Sequence, residues 1–150
     1  MAPVRVPIVA LAHARGLALP EYQTSGSAGC DVRAAIEEPL TLEPGSRHLV
    51  PCGIRMAIPH GWEVQVRPRS GLAWRHGVTM VNPPGTLDSD YRGELFVPLI
   101  NHGAETYVLS RGERIAQLVL APVHQIEWTL TDTLDSTERG EGGFGSTGTQ

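Results

Sequence analysis

The chain contains no lysine: all twelve of its basic residues are arginine. That excludes a Walker-A lysine, a Schiff-base lysine and a lysine nucleophile. Any phosphate must be met by guanidinium forks, hydroxyls, backbone N–H groups or a metal. Cysteine is nearly as scarce. Cys30 and Cys52 are the only two and lack a metal-like spacing, so they read as isolated thiols in a reducing cytoplasm, with a single disulfide left open. No apolar run approaches the ~20 residues of a membrane span. The segment MAPVRVPIVALAHARG does not have the form of a signal peptide, since Pro7 and His13 break its short apolar stretch. The histidines are scattered without an HExxH-like pattern, which speaks against a structural zinc site. Positive charge is not in excess either. A net charge of −4 argues against general binding to the nucleic-acid backbone. A cytoplasmic protein with neither nucleic-acid nor membrane partners is expected.

What is present is a series of short β-like runs between turn signals. Candidate strands are Val4–Leu11, Gly29–Ala34, His48–Val50, Gly53–Ile58, Glu63–Pro68, Val78–Val81, Glu94–Asn101, Thr106–Leu109, Arg114–Leu120 and His124–Leu130. Trp62-Glu63-Val64-Gln65-Val66-Arg67 alternates apolar with polar, as a half-buried strand does. Only Ser70–Arg75 has a helical pattern, with Ser70 as its candidate N-cap. Many short strands and one short helix in 150 residues read as one all-β domain of the sandwich or jelly-roll type.

Four stretches within that domain hold residues able to do chemistry. In Arg67-Pro68-Arg69-Ser70-Gly71-Leu72-Ala73, free N–H groups at a helix start, with Ser70 and Arg69, would suit an anion; a plain helix cap is the ordinary alternative. Asn82-Pro83-Pro84-Gly85-Thr86-Leu87-Asp88-Ser89-Asp90-Tyr91-Arg92-Gly93-Glu94 is a stiffened turn whose backbone could face the edge of a base. Asp88 could accept a proton from water and Tyr91 could pack on a sugar, while a solvated acidic turn is the plainer reading. Asp31 interrupts the small apolar segment Ala28–Ala35 and needs a hydrogen bond or a cation there. Gln117, in Arg111–Leu118, is either a satisfied core amide or a phosphate contact.

The last sixteen residues, Asp135 to Gln150, form a fifth stretch. Five are glycine and only Phe144 could enter a core, so the segment cannot bury enough apolar surface to offset its ordering entropy. Alone it should be a disordered tail, yet it carries Arg139, Phe144 and a Gly-Ser-Thr-Gly run, the residue types that grip phosphate and stack on a base.

In order and spacing, Ala28–Ala35, Arg67–Ala73, Asn82–Glu94, Arg111–Leu118 and Arg139–Gly148 resemble the five motifs of the trimeric dUTP pyrophosphatases (dUTPases). The strings RPRSGLA, GTLDSDYRGE and RGEGGFGSTG carry the likeness, which spans nearly the whole chain. Departures are small: Val32 and Leu87 stand where other aliphatics are usual, and Pro83-Pro84 replaces smaller residues.

The resemblance implies a distorted jelly-roll, β-clip-like barrel over residues 1–134 and a flexible arm over 135–150 that closes on the site of a neighbouring subunit. It implies Mg²⁺-dependent cleavage of dUTP to dUMP and pyrophosphate by a homotrimer with shared sites, which limits uracil in DNA and supplies dUMP for dTTP synthesis. Asp88 then corresponds to the carboxylate that deprotonates the attacking water. Tyr91 corresponds to the residue under the deoxyribose. Asn82 and the backbone at Thr86 and Leu87 would read uracil, with Phe96 lining that pocket. Arg69, Ser70, Gly71 and Gln117 match the phosphate cradle, and Asp31 matches a water-mediated anchor of Mg²⁺. In the arm, Arg139 and Gly145-Ser146-Thr147 would close on the γ-phosphate and Phe144 would stack on the base. The rival readings are a dCTP deaminase of the same fold and a catalytically dead nucleotide-binding trimer. Neither Glu63 nor Glu94 stands in a deaminase-like string.

Overall fold

Alternation decides which way each strand faces. In the strand Trp62–Pro68, Val64 and Val66 are buried, while Glu63, Gln65 and Arg67 line the other side. That outer row is tied together: Gln65 Nε2 donates to Glu63 Oε1 at 2.8 Å and Arg67 Nη2 to Gln65 Oε1 at 2.6 Å. The computed structural model describes residues 3–143 and 146. Its strands are β1 (Ile8–Ala10), β2 (Cys30–Arg33), β3 (Leu40–Leu42), β4 (Arg47–Pro51), β5 (Ile54–Met56), β6 (Trp62–Pro68), β7 (Val78–Met80), β8 (Gly85–Leu87), β9 (Phe96–Asn101), β10 (Tyr107–Leu109) and β11 (Arg114–Pro122). Helix α1 (Ser70–His76) and a 3-10 turn at Ala12–Ala14 complete the regular structure among the described residues.

All pairings between these strands are antiparallel. One sheet runs β2-β11-β6-β8 and a second runs β4-β9-β7, with the pairs β1-β5 and β10-β3 beside them. Val32, Val66 and Leu118 from the first sheet share one core with Val50, Val97 and Leu99 from the second. Among the described residues only Asn101 is a buried polar side chain, and it is fully engaged. Its Nδ2 donates to the carbonyls of Leu42 and Glu105 at 2.8 Å each, and its Oδ1 accepts the Gly103 N–H. The result is the all-β jelly roll with one α-helix that the sequence implies. No helix among the described residues is long and apolar enough to cross a membrane.

Several boundaries differ from the sequence reading. The expected first strand shrinks to β1 because prolines at positions 3 and 7 cannot donate to a ladder. β8 lies within the stretch that reads as a turn, and β3 lies where the sequence offers no strand candidate. Each has three residues, too short to show alternation, and each is held by its partner's register. The candidate strand His124–Leu130 pairs with no strand among the described residues. Its alternate residues Ile126, Trp128 and Leu130 are 69%, 84% and 100% exposed.

Candidate active site

The turn joining β7 to β9 folds as a hairpin because β8 pairs back on β6, with Gly85 opposite Val66, Thr86 opposite Gln65 and Leu87 opposite Val64. Asp88 follows β8 directly, and its side chain is exposed. The Tyr91 N–H bonds to the Asp88 carbonyl at 3.2 Å, closing a turn that doubles the chain back on itself. Tyr91 then lies over Gly93, where any Cβ would run into its ring and hydroxyl. The hydroxyl donates to the Glu94 carbonyl at 2.8 Å. Thr86, Leu87, Asp88, Tyr91, Glu94 and Phe96 thus surround one open cavity of about 190 Å³. Asp88 also borders a wider groove of about 660 Å³ with Trp62, Asp90 and His124. Asn82 is exposed at the foot of the hairpin, its amide beside Gly85.

A second group forms where β2, β11 and β6 run side by side. Gln117 stands opposite Asp31 on one side and Arg67 on the other. The Asp31 side chain is 12% exposed, and both of its oxygens face arginine: Oδ1 lies 3.2 Å from Arg69 Nε and Oδ2 lies 3.0 Å from Arg114 Nη1. Arg69 also donates to the Arg114 carbonyl at 3.1 Å, so the two guanidinium groups and the carboxylate form one unit. The cation that a carboxylate in apolar surroundings requires is therefore present twice. Gln117 Nε2 donates to the Pro68 carbonyl at 3.1 Å, which satisfies its nitrogen within the protein. Ser70 and Gly71 are exposed at the start of α1. Ser70 is not the helix cap expected from the sequence. Arg69 occupies the N-cap position without a side-chain cap, and Ser70 is the first helical residue.

The structure therefore gathers Thr86, Leu87, Asp88, Tyr91 and Phe96 in one cavity and Asp31, Arg69 and Gln117 in another cluster. None of the cluster's residues lines the hairpin cavity. Arg139 is exposed in a turn in which its Nε donates to the Gly142 carbonyl at 2.8 Å, and Ser146 is exposed too. Phe144, Gly145 and Thr147 lie outside the described residues. Two residues given no role from sequence belong to these groups. Arg114 holds Asp31, and Glu94 lines the cavity. Asp31's need for a cation pointed toward an arginine, and the fold supplies two, Arg114 from β11 and Arg69 from just past the end of β6.

Among the described residues no three His, Cys, Asp or Glu side chains are grouped to hold a metal ion. Mg²⁺ commonly rests on one or two carboxylates, several waters and substrate phosphates. Asp31 fits that limited role: it is a hard oxygen donor with lone pairs remaining after its two arginine contacts.

A jelly roll that displays an acidic, tyrosine-bearing hairpin beside an arginine-rich strand end defines a nucleotide-handling β protein. The chain belongs to the dUTPase family, whose model matches residues 16–148. It is 57% identical over 152 residues to the deoxyuridine 5'-triphosphate nucleotidohydrolase of Maricaulis maris, covering 100% of both chains. It is 60% identical over 148 residues to the protein of that name from Beijerinckia indica, covering 97% of this chain and 92% of the relative. Among solved structures, the Staphylococcus bacteriophage 80alpha dUTPase with dUPNHPP superposes with a TM-score of 0.85 at 25% identity, covering 97% of this chain and 99% of that one. A dUTPase from phage phi11 of S. aureus, described for its coordination of a structural Mg(II) ion, shares the fold with a TM-score of 0.76 at 21% identity, over 87% of this chain and 98% of that one.

Proposed function

We propose that this protein is a Mg²⁺-dependent dUTP diphosphatase that converts dUTP to dUMP and pyrophosphate. The observation that carries the reading is the hairpin cavity, where Asp88 and Tyr91 meet beside the backbone of Thr86 and Leu87. Asp88 takes a proton from water as that water attacks the α-phosphorus, and the bond to the bridging oxygen of pyrophosphate breaks. An exposed carboxylate just beyond a strand end can approach water within the ~3 Å that proton transfer requires. Tyr91, pinned by Glu94, packs under the deoxyribose and leaves no room for a 2′-hydroxyl. Asn82 and the β8 backbone pair with the uracil edge, and Phe96 closes the pocket wall. Cytosine would leave buried polar groups unpaired, a discrimination of ~10⁴.

The triphosphate lies on Arg69, Ser70, Gly71 and Gln117, and Asp31 anchors its Mg²⁺ through water. The metal, when bound, would offset phosphate charge and help orient the α-phosphorus. The arm of residues 135–150 supplies Arg139, Phe144, Gly145, Ser146 and Thr147 as a lid. Only a ligand with both base and γ-phosphate offsets the entropy of ordering it.

The active form is a homotrimer with shared sites. Two observations support this. The hairpin cavity and the arginine cluster are separate groups within one chain, and the strand-like segment around Trp128 shows its apolar side chains to solvent. An apolar slot of about 350 Å³ lined by Val4, Val6, Ile8, Tyr22 and Leu120 is of a kind to receive such side chains from a second copy. In a cytoplasmic setting the reaction removes dUTP before it enters DNA and yields dUMP for thymidylate.

The test is incubation with Mg²⁺ and, separately, dUTP, dCTP, dTTP and UTP. Pyrophosphate and dUMP from dUTP alone are expected. Ammonia from dCTP would move the protein to the deaminase branch, and silence on all four would leave a binding trimer.

A further inference from the structure

We propose that His13 and Glu94 form a clamp that sets the position of the Tyr91 hairpin, making both of them positioning residues for the deoxyribose subsite. The inference rests on the assignment of Tyr91 to the sugar made above. His13 lies outside residues 16–148, the part of the chain that the family model matches.

The geometry begins at the Glu94 carboxylate, which is only 16% exposed. Its Oε1 accepts a hydrogen bond from His13 Nε2 at 2.6 Å and a second from the Gly53 N–H at 2.9 Å. A carboxylate has no proton to give here, so the ring nitrogen must donate. The three residues come from different parts of the chain, and the segments carrying His13 and Gly53 are locked to each other. His13 is presented by the 3-10 turn Ala12–Ala14, whose buried Ala14 packs on Gly53 so closely that a Cβ at Gly53 would overlap the alanine methyl. Gly53 itself has φ +66°, a left-handed conformation that favours glycine. The Leu11 N–H bonds to the Gly53 carbonyl at 2.8 Å, closing the junction.

The other end of the clamp reaches the substrate side. Leu95, next to Glu94, exchanges backbone hydrogen bonds with Cys52 and Ile54 at 3.0 and 2.9 Å. Glu94 is therefore the last residue of the hairpin before it joins that ladder. The backbone carbonyl of Glu94 receives the Tyr91 hydroxyl. Rotation of Glu94 would move the acceptor that holds the Tyr91 ring, in the loop that also carries Asp88. A partly buried, charge-assisted bond with a second donor on the same oxygen constrains that rotation, where an isolated surface pair would not.

Steady-state kinetics on dUTP and UTP test the clamp. His13→Ala and Glu94→Ala should each lower kcat/KM for dUTP about tenfold, chiefly through KM, because the sugar platform loosens before the chemistry is touched. The preference for dUTP over UTP should fall about threefold in both, a readout that loss of stability alone would not move. The double variant should resemble either single one within about twofold, as partners in one interaction do. Glu94→Gln, whose amide oxygen can accept both N–H groups, should stay close to wild type. Wild-type KM and dUTP preference in both alanine variants overturn the proposal, and so does full additivity in the double variant. Should an alanine variant fail to fold, Glu94→Asp decides, since it keeps the charge but withdraws the oxygen by one methylene. A shift in KM and preference upholds the clamp, and unchanged values overturn it. A wild-type protein silent on dUTP sinks the functional reading and the clamp together, whereas an active wild type with unmoved variants sinks the clamp alone.

Discussion

Among the described residues Asp88 has no hydrogen-bonded side-chain partner, in contrast to Asp31, which is held between two arginines. Two aspartates in one chain thus have opposite local chemistry: one is open to water and the other is locked in a scaffold. Asp88→Asn should therefore cost about 10²–10⁴-fold in kcat, the range for a lost general base, while leaving the fold intact. Pyrophosphate release measured beside calorimetric binding of a non-hydrolysable dUTP analogue checks both halves of that expectation. Cys52 makes a prediction of another kind. Burial pushes its thiol pKa far up, and the nearby Glu94 carboxylate adds to the shift. Below about pH 8.5 the thiol is protonated whether the chain is folded or not. Above that, the unfolded chain releases the proton and the folded one keeps it, so stability should fall as pH rises. Thermal melting from pH 7 to 10 should show the decline, with a shallower one in Cys52→Ala.

At the scale of single elements, the hairpin is where small changes matter most. Gly93→Ala should displace Tyr91 from its fold-back position and lower kcat/KM up to about 100-fold with little loss of melting temperature, since misplacements of ~1 Å are enough for that. Sequence legibility also divides by element. β6 was readable because six residues of strict alternation cannot be mistaken, and α1 because one helical pattern stood alone among strands. The three-residue strand β8 was read as part of a turn, since its pairing belongs to β6 and not to its own residues. The segment His124–Leu130 was read as a strand from alternation that is plainly there, but alternation says only which residues want cover. Site residues behaved alike. Asp88, Tyr91 and Phe96 share a cavity and lie within nine residues of one another, whereas the Arg114–Asp31 and His13–Glu94 pairs join residues 83 and 81 apart and depend on the tertiary fold.

For the whole molecule, the exposed apolar side chains of residues 126–134 and the arm beyond them make separable predictions. Ending the chain after Leu134, which shortens the 16.2 kDa chain by sixteen residues, should leave an assembly of three copies of the shortened chain. Its kcat/KM should nevertheless fall by at least about 100-fold if the arm serves as the proposed lid. Ending it after Pro122 removes Ile126, Trp128 and Leu130 as well, and should leave monomers. Light scattering coupled to size exclusion distinguishes the two. If loss of residues 123–134 left the trimer intact, the exposed segment would not be the joint between copies.

Trp128, 84% exposed in its own chain, has a genetic corollary. When the covering of one chain's apolar side chains falls to another chain, damage to different parts of the polypeptide need not coincide in any one site. Two dead alleles, Asp88→Asn and a chain ending at Leu134, should complement each other when their products assemble together. The first lends its intact arm and the second its intact hairpin. In a random one-to-one mixture about a quarter of the sites would hold one sound copy of each part, where hairpin and arm come from different subunits. Activity rising from near zero to about that fraction on co-refolding would mark the site as common property of the assembly, and none would mean that each chain serves itself.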